Sequence, residues 1–233
     1  NGRIPSRENA KAARKILPGT SSTDIWPLNK TMKNLPTFIN PPNGWVQSTN
    51  QNPYAVMGEY SSALNLNSPN VDFEQRLTNR SFVANELLST KVKITLDDFI
   101  DIKFDHSYSE HSRQYKYLMK LAEENQEIAQ KVRSWNRQTD FKNKHAGYSS
   151  CLMAHEWLSE MNAQPIPKTK DVLSKCKDWF VEIEREQNDE WEKITTISRL
   201  GRSYPIQGSV DTLRAVYGTP NAKTNSIDMS GGD

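Results

Sequence analysis

Four histidines (His106, His111, His145 and His155) and two cysteines (Cys151 and Cys176) are the side chains most suited to metal binding or nucleophilic chemistry. Their spacing favours neither. His106 and His111 stand five apart, not the four that sets two zinc ligands on one helical face, and no H-E-x-x-H motif occurs. The cysteines match no zinc pattern. They could pair, which spacing alone does not decide. No serine lies in a G-x-S-x-G elbow, and no P-loop or G-x-G-x-x-G loop is present. Glu182, Glu184, Glu186 and Glu190 read as the solvated face of a helix rather than as an acid–base pair. Residue chemistry alone therefore gives no complete catalytic set, no metal site and no cofactor.

Three regions must position whatever chemistry exists. Residues 1–70 are rich in Pro, Asn, Ser and Thr, residues 71–189 carry helical periods, and residues 190–233 return to short strands and turns. In the first region Pro41-Pro42-Asn43-Gly44 is a turn signal, because Pro fixes φ and Asn-Gly tolerates positive φ. Residues 45–49 then read as a short strand with Trp45, Gln47 and Thr49 on one side. Asn50 ends it, before Gln51-Asn52-Pro53 breaks the pairing.

The helical region opens with Val71, Phe73, Leu77, Val83, Leu87 and Leu88. Thr95 is the expected N-cap of a second helix, with Asp97 and Asp98 at its positive end and Phe99, Ile100 and Phe104 as its apolar face. Ser107 and Glu110 have capping-box spacing for a third helix through Leu118 and Leu121. Ile128, Val132 and Trp135 continue with helical spacing, and Cys151, Leu152, His155 and Leu158 share one face. Val172, Leu173, Cys176, Trp179, Phe180 and Ile183 form the strongest stripe. All of these stripes are expected to face a core.

A formal net charge of +2, with basic and acidic residues interleaved, excludes a strong field for nucleic acid or anionic membrane. No apolar run approaches the length of a membrane span. Apolar residues make up 35%, low for a self-sufficient core, while six Trp, eight Tyr and seven Phe argue against disorder. Two readings fit this composition, a partly flexible chain or a segment of a larger body, and the opening Asn1 and closing Gly231-Gly232-Asp233 lead us to expect the second.

Two stretches add a resemblance. Ile39-Asn40-Pro41-Pro42-Asn43-Gly44-Trp45-Val46-Gln47-Ser48-Thr49-Asn50-Gln51-Asn52-Pro53 resembles the N-P-P-x-G-[aromatic]-[aliphatic]-x-x-x-N-x-x-P signature of the penicillin acylase family, a group of N-terminal-nucleophile hydrolases. Leu17-Pro18-Gly19-Thr20, Trp26 and Leu35-Pro36 fit its lead-in. Gly208-Ser209-Val210-Asp211-Thr212-Leu213-Arg214-Ala215 and Gly231-Gly232-Asp233 look like its G-x-x-D-T-L-R-A and G-G-D-S elements. Arg80 stands seven residues before Leu87-Leu88, as a family arginine does before its Leu-Leu pair. The D-T-L-R-A form is similar to the acyl-homoserine-lactone and aculeacin acylase branch.

The resemblance implies an α+β fold: part of a four-layer αββα sandwich with a largely helical middle segment, the whole of residues 1–233 forming one partial domain. It implies an amidohydrolase, without cofactor or metal, acting on an acylated small-molecule amide. A precursor cuts itself to expose an N-terminal Ser whose hydroxyl attacks the carbonyl. Asn50 would donate to the oxyanion, as a carboxamide can without losing a proton, and Arg80 would order the site. Asp211 and Arg214 would fix loop structure. The nucleophile would lie on the missing remainder of the precursor: Asn1 has no hydroxyl or thiol, and Gly19-Thr20 sits where the family has ordinary loop. This chain by itself would be inactive, and the parent protein periplasmic or secreted.

Residue by residue, Asn50 also fits a turn residue, and Arg80 a helix charge paired with a carboxylate. Two further readings compete: a stand-alone helical binding module without chemistry, and a degenerate paralogue that keeps the fold for structural work.

Overall fold

The computed structural model describes residues 16, 18–25, 38–58, 77–216, 218–221 and 226–229. Val71 and Phe73, the lead-in residues Leu17, Trp26, Leu35 and Pro36, and the closing Gly231-Gly232-Asp233 lie outside them. The chain divides into two compact units, Asn1–Leu77 and Thr78–Asp233.

In the first unit, short 3-10 turns form at Ser22–Asp24 and Pro53–Ala55. No strand forms over residues 45–49, contrary to the sequence reading. The alternation survives: Gln47 is buried and Trp45 and Thr49 half-buried, while Val46 and Ser48 are exposed. A loop stands in place of the ladder, joined to the returning chain by the Gln47 backbone N–H on Val56 O at 2.9 Å.

The second unit runs α1 (Asn79–Ser89), α2 (Leu96–Lys103), α3 (Arg113–Glu124), α4 (Gln126–Arg133), α5 (Ala146–Met161), α6 (Thr169–Glu182) and the single turn α7 (Trp191–Ile194). Then come two antiparallel pairs, β1 (Thr196–Arg199) with β2 (Arg202–Pro205), and β3 (Gly218–Asn221) with β4 (Ser226–Met229). Helices with small sheets make the architecture α+β.

The starts of α1 to α4 follow side-chain chemistry, while α5, α6 and α7 begin without a side-chain cap. Thr78 caps α1 by accepting from Ser81 N, so the first helix begins at Asn79, and Leu77 precedes it. Thr95 and Asp98 form the capping box of α2. The cap of α3 is Ser112 rather than Ser107. Ser107 is engaged elsewhere: it bridges to Gln138, and Asp105 Oδ1 accepts from its backbone N–H at 2.8 Å. Glu110 is likewise taken, by Arg137 at 3.2 Å. Asn125 ends α3 and caps α4, accepting from Glu127 N at 2.9 Å and Ile128 N at 3.2 Å.

The core collects Leu118, Leu121, Ile128, Val132, Leu152, Met153, Val172, Cys176, Phe180, Ile183, Trp191 and Ile194. The α6 stripe is buried as its period requires, with Leu173 and Trp179 packed against the cluster. Gly147 on α5 admits Ile194 Cδ1 to within 2.3 Å of where a Cβ would sit. Trp135 is buried but stands just past the end of α4.

Three stripes depart from expectation. α2 buries none of its residues, and Phe99, Ile100 and Phe104 are exposed. On α5 Leu152 enters the core, but Leu158 on the same expected face is exposed. α6 ends at Glu182, so Glu184, Glu186 and Glu190 belong to the following turns rather than to a helical face. Cys151 and Cys176 form a disulfide that ties α5 to α6, with Cα atoms 5.8 Å apart. No helix among the described residues is long and apolar enough to cross a membrane.

Candidate active site

Asn50 lies in the first unit, in a loop held by its own carboxamides. Gly44 N donates to Pro41 O at 2.9 Å, and Gly44 takes φ 74°, closing the Pro-Pro-Asn-Gly turn. Asn43 Nδ2 donates to Met57 O at 3.0 Å and Gln47 Nε2 to Ala55 O at 3.1 Å, drawing the two arms of the loop together. Gln51 Nε2 donates to Gln47 O at 3.1 Å, while Gln51 Oε1 accepts from Thr49 Oγ1 at 2.8 Å. Between Thr49 and Gln51, Asn50 is exposed at φ 62°. Of the residues with a Cβ, Asn is among the few that visit this left-handed region readily.

Arg80 is in the second unit, in the first turn of α1. A cation there opposes the helix dipole. The compensating charge is Asp211, whose Oδ1 lies 3.1 Å from Arg80 Nε. Its Oδ2 accepts from Asn79 N at 2.7 Å and from Gln114 Nε2 at 2.9 Å. The carboxylate thus takes a backbone donor at the start of α1, a guanidinium donor and a carboxamide donor together. Asn79, fully buried, donates from Nδ2 to Asp211 O and Ser107 O, both at 3.0 Å, and accepts from Ser109 N at 2.9 Å.

The loop carrying Asp211 is closed on itself. Thr212 Oγ1 accepts from Ser209 N at 3.1 Å and donates to Arg214 O at 2.8 Å. Val216 N donates to Ser209 O at 3.0 Å, Arg214 N to Asp105 O at 2.8 Å, and Tyr108 Oη to Val210 O at 2.5 Å. The Arg214 guanidinium sits 5.6 Å from the centre of the Phe104 ring. Asp211 ties this loop to α1 and α3 through its carboxylate and also binds Arg80, whereas Arg214 holds the loop through its backbone groups. The structure brings Arg80 and Asp211 together, while Asn50 lies in the other unit.

Asn79 and Gln114 were missed by the sequence reading, which had no signal for either beyond the neighbouring Arg80 and the start of α3. Also unforeseen is a largely apolar groove of about 340 Å³ bordered by Leu158, Trp179, Trp191 and Val216, with Ser209 and Val210 at its edge. His155 lines it, and burial, aided by Lys175, holds its pKa below the ordinary 6.5. The donor atoms of His155, Cys151 and Cys176 lie within 4.8 Å of one another, but the disulfide occupies both sulfurs.

A family model described as penicillin amidase matches residues 1–225. The chain belongs to the penicillin amidase family. The match takes in both the Asn50 loop and the Arg80–Asp211 cluster. Family membership supports an acylase or amidohydrolase function directed at a small-molecule amide. No curated protein sequence matches the chain.

Proposed function

We propose that this chain forms part of an amidohydrolase that cleaves the linear amide between an acyl chain and an amino group. The family match over residues 1–225, which includes the Asn50 motif, carries the reading. In this reading an N-terminal hydroxyl on the remainder of the precursor attacks the amide carbonyl, and its own α-amine takes the proton. The tetrahedral intermediate collapses to an acyl-enzyme, and the amine leaves with that proton. Water then releases the carboxylic acid. Asn50 donates its side-chain N–H to the oxyanion in both steps. Arg80 orders the surrounding groups. The chain is then one part of the four-layer αββα sandwich, completed by the rest of the precursor.

The exposed Asn50, in a left-handed conformation that Asn adopts readily, fits a donor presented at a loop tip. The Asp211-Thr212-Leu213-Arg214-Ala215 form favours acyl-homoserine-lactone or aculeacin-type substrates, and with them a role in quorum-signal or antibiotic breakdown. A periplasmic or secreted location is supported by the Cys151–Cys176 disulfide, because such bonds persist in oxidising compartments.

The test is Asn50→Ala in the full protein, assayed on acyl para-nitroanilides from acetyl to dodecanoyl and phenylacetyl. Turnover is expected to fall roughly 10²–10³-fold, the cost of one oxyanion donor, with the melting temperature unchanged. Near-normal turnover in the folded variant rejects the assignment.

A further inference from the structure

We infer that Asp211 is a positioning residue for the hydrolytic reaction, setting the orientation in which Arg80 is presented. The inference rests on the reading of Arg80 given above and extends it to a second residue. Four observations carry it. Asp211 is 5% exposed in its side chain against 22% for Arg80, so the carboxylate is withheld from solvent and the pair is screened less than a surface pair. The carboxylate is fixed independently of Arg80, by Asn79 N from α1 and Gln114 Nε2 from α3. It binds the guanidinium at Nε, the point nearest the side-chain stem, and so sets the direction of the plane beyond it. Lastly, Asp211 holds φ 59°, an uncommon conformation maintained by Asn79 Nδ2 on its own carbonyl. A carboxylate needed only to neutralise Arg80 would require neither a second anchor nor a constrained backbone.

Two variants of the full protein separate positioning from simple support. Asp211→Asn keeps the shape and tolerates the left-handed backbone but removes the charge. Asp211→Glu keeps the charge and displaces it by a methylene. Each is assayed for kcat and KM on the para-nitroanilide that the parent cleaves best, at a temperature well below its own melting point. We expect kcat to fall about tenfold to a hundredfold with KM within about twofold, as for a catalytic group displaced by a fraction of an ångström. Combined with Arg80→Ala, Asp211→Asn should add no further loss, because both changes remove the same orientation. A folded Asp211 variant with parental kcat, or losses that multiply in the double variant, overturns the inference. Failure of both variants to accumulate as folded protein makes Asp211 a fold residue only and also overturns it. If Arg80→Ala and Asn50→Ala themselves keep full turnover, it is the proposed function that falls, a result distinct from loss at Arg80 with none at Asp211.

Discussion

Gly208 shows how tightly the Asp211 loop is drawn. It takes φ +103°, and a Cβ there would stand 2.1 Å from Arg214 O and 3.1 Å from Val216 Cγ2. The obstacle is backbone held by Thr212 Oγ1, so it cannot turn aside as a flexible side chain would. Gly208→Ala should therefore cost about 2–4 kcal/mol, combining left-handed strain with overpacking. The check is the urea midpoint of the full protein, and an unchanged midpoint would show that the loop can open. At this scale the motif was readable only as far as the chain is contiguous. The Gly208-to-Ala215 string was visible through its family resemblance. Asn79 and Gln114, 132 and 97 residues from Asp211, were not, because hydrogen bonds between distant polar residues leave no period in the sequence.

Among the helices, α2 depends most on its ends, since it buries no residue. Its start was legible from Thr95 as an N-cap and from Asp97 and Asp98 at its positive end, a local pattern with a local cause; that Asp98 also closes a capping box on Thr95 is added by the structure. The Ser107–Glu110 pair had the same spacing and failed, because Gln138 bridges the Ser107 backbone while Asp105 takes the Ser107 hydroxyl and Arg137 the Glu110 carboxylate, and no local reading sees them. The exposure of Phe99, Ile100 and Phe104 was equally illegible: periodicity marks an apolar face without saying what covers it. The α2 cap makes a pH prediction. Lys91 Nζ at 2.6 Å, and then Thr95, hold the Asp98 carboxyl well below its ordinary 3.8. A depressed carboxylate gives its full stabilisation above the unfolded value and loses it as pH falls through the folded one. The amides at the start of α2 should thus keep their hydrogen-exchange protection at pH 3.8 and lose it only in strongly acidic solution. Loss of protection already at the ordinary carboxylate value would mean that the Lys91–Asp98 contact does not persist in solution.

For the molecule as a whole, the α5–α6 pair joins packing to a covalent bond. The α6 stripe announced its buried face through its period alone, and Val172, Cys176, Phe180 and Ile183 are all buried. That the Cys176 sulfur meets Cys151 was undecidable earlier, because two helical positions 25 residues apart carry no distance until the helices are docked. Cross-linking such a loop removes chain entropy from the unfolded state, worth about 3–4 kcal/mol at this length. The apolar contacts of Val172, Phe180 and Ile183 remain when the bond is cut, so the helices should stay docked while the margin against unfolding shrinks. Reduction of the full protein with a phosphine should therefore lower its unfolding free energy by about that amount, read from urea midpoints, while helical circular dichroism in the absence of denaturant stays constant. Cys151→Ser combined with Cys176→Ser should reproduce the reduced midpoint. Equal midpoints for the oxidised and reduced protein would mean that the α5–α6 packing already holds the loop closed in the unfolded ensemble, leaving the bond little entropy to remove.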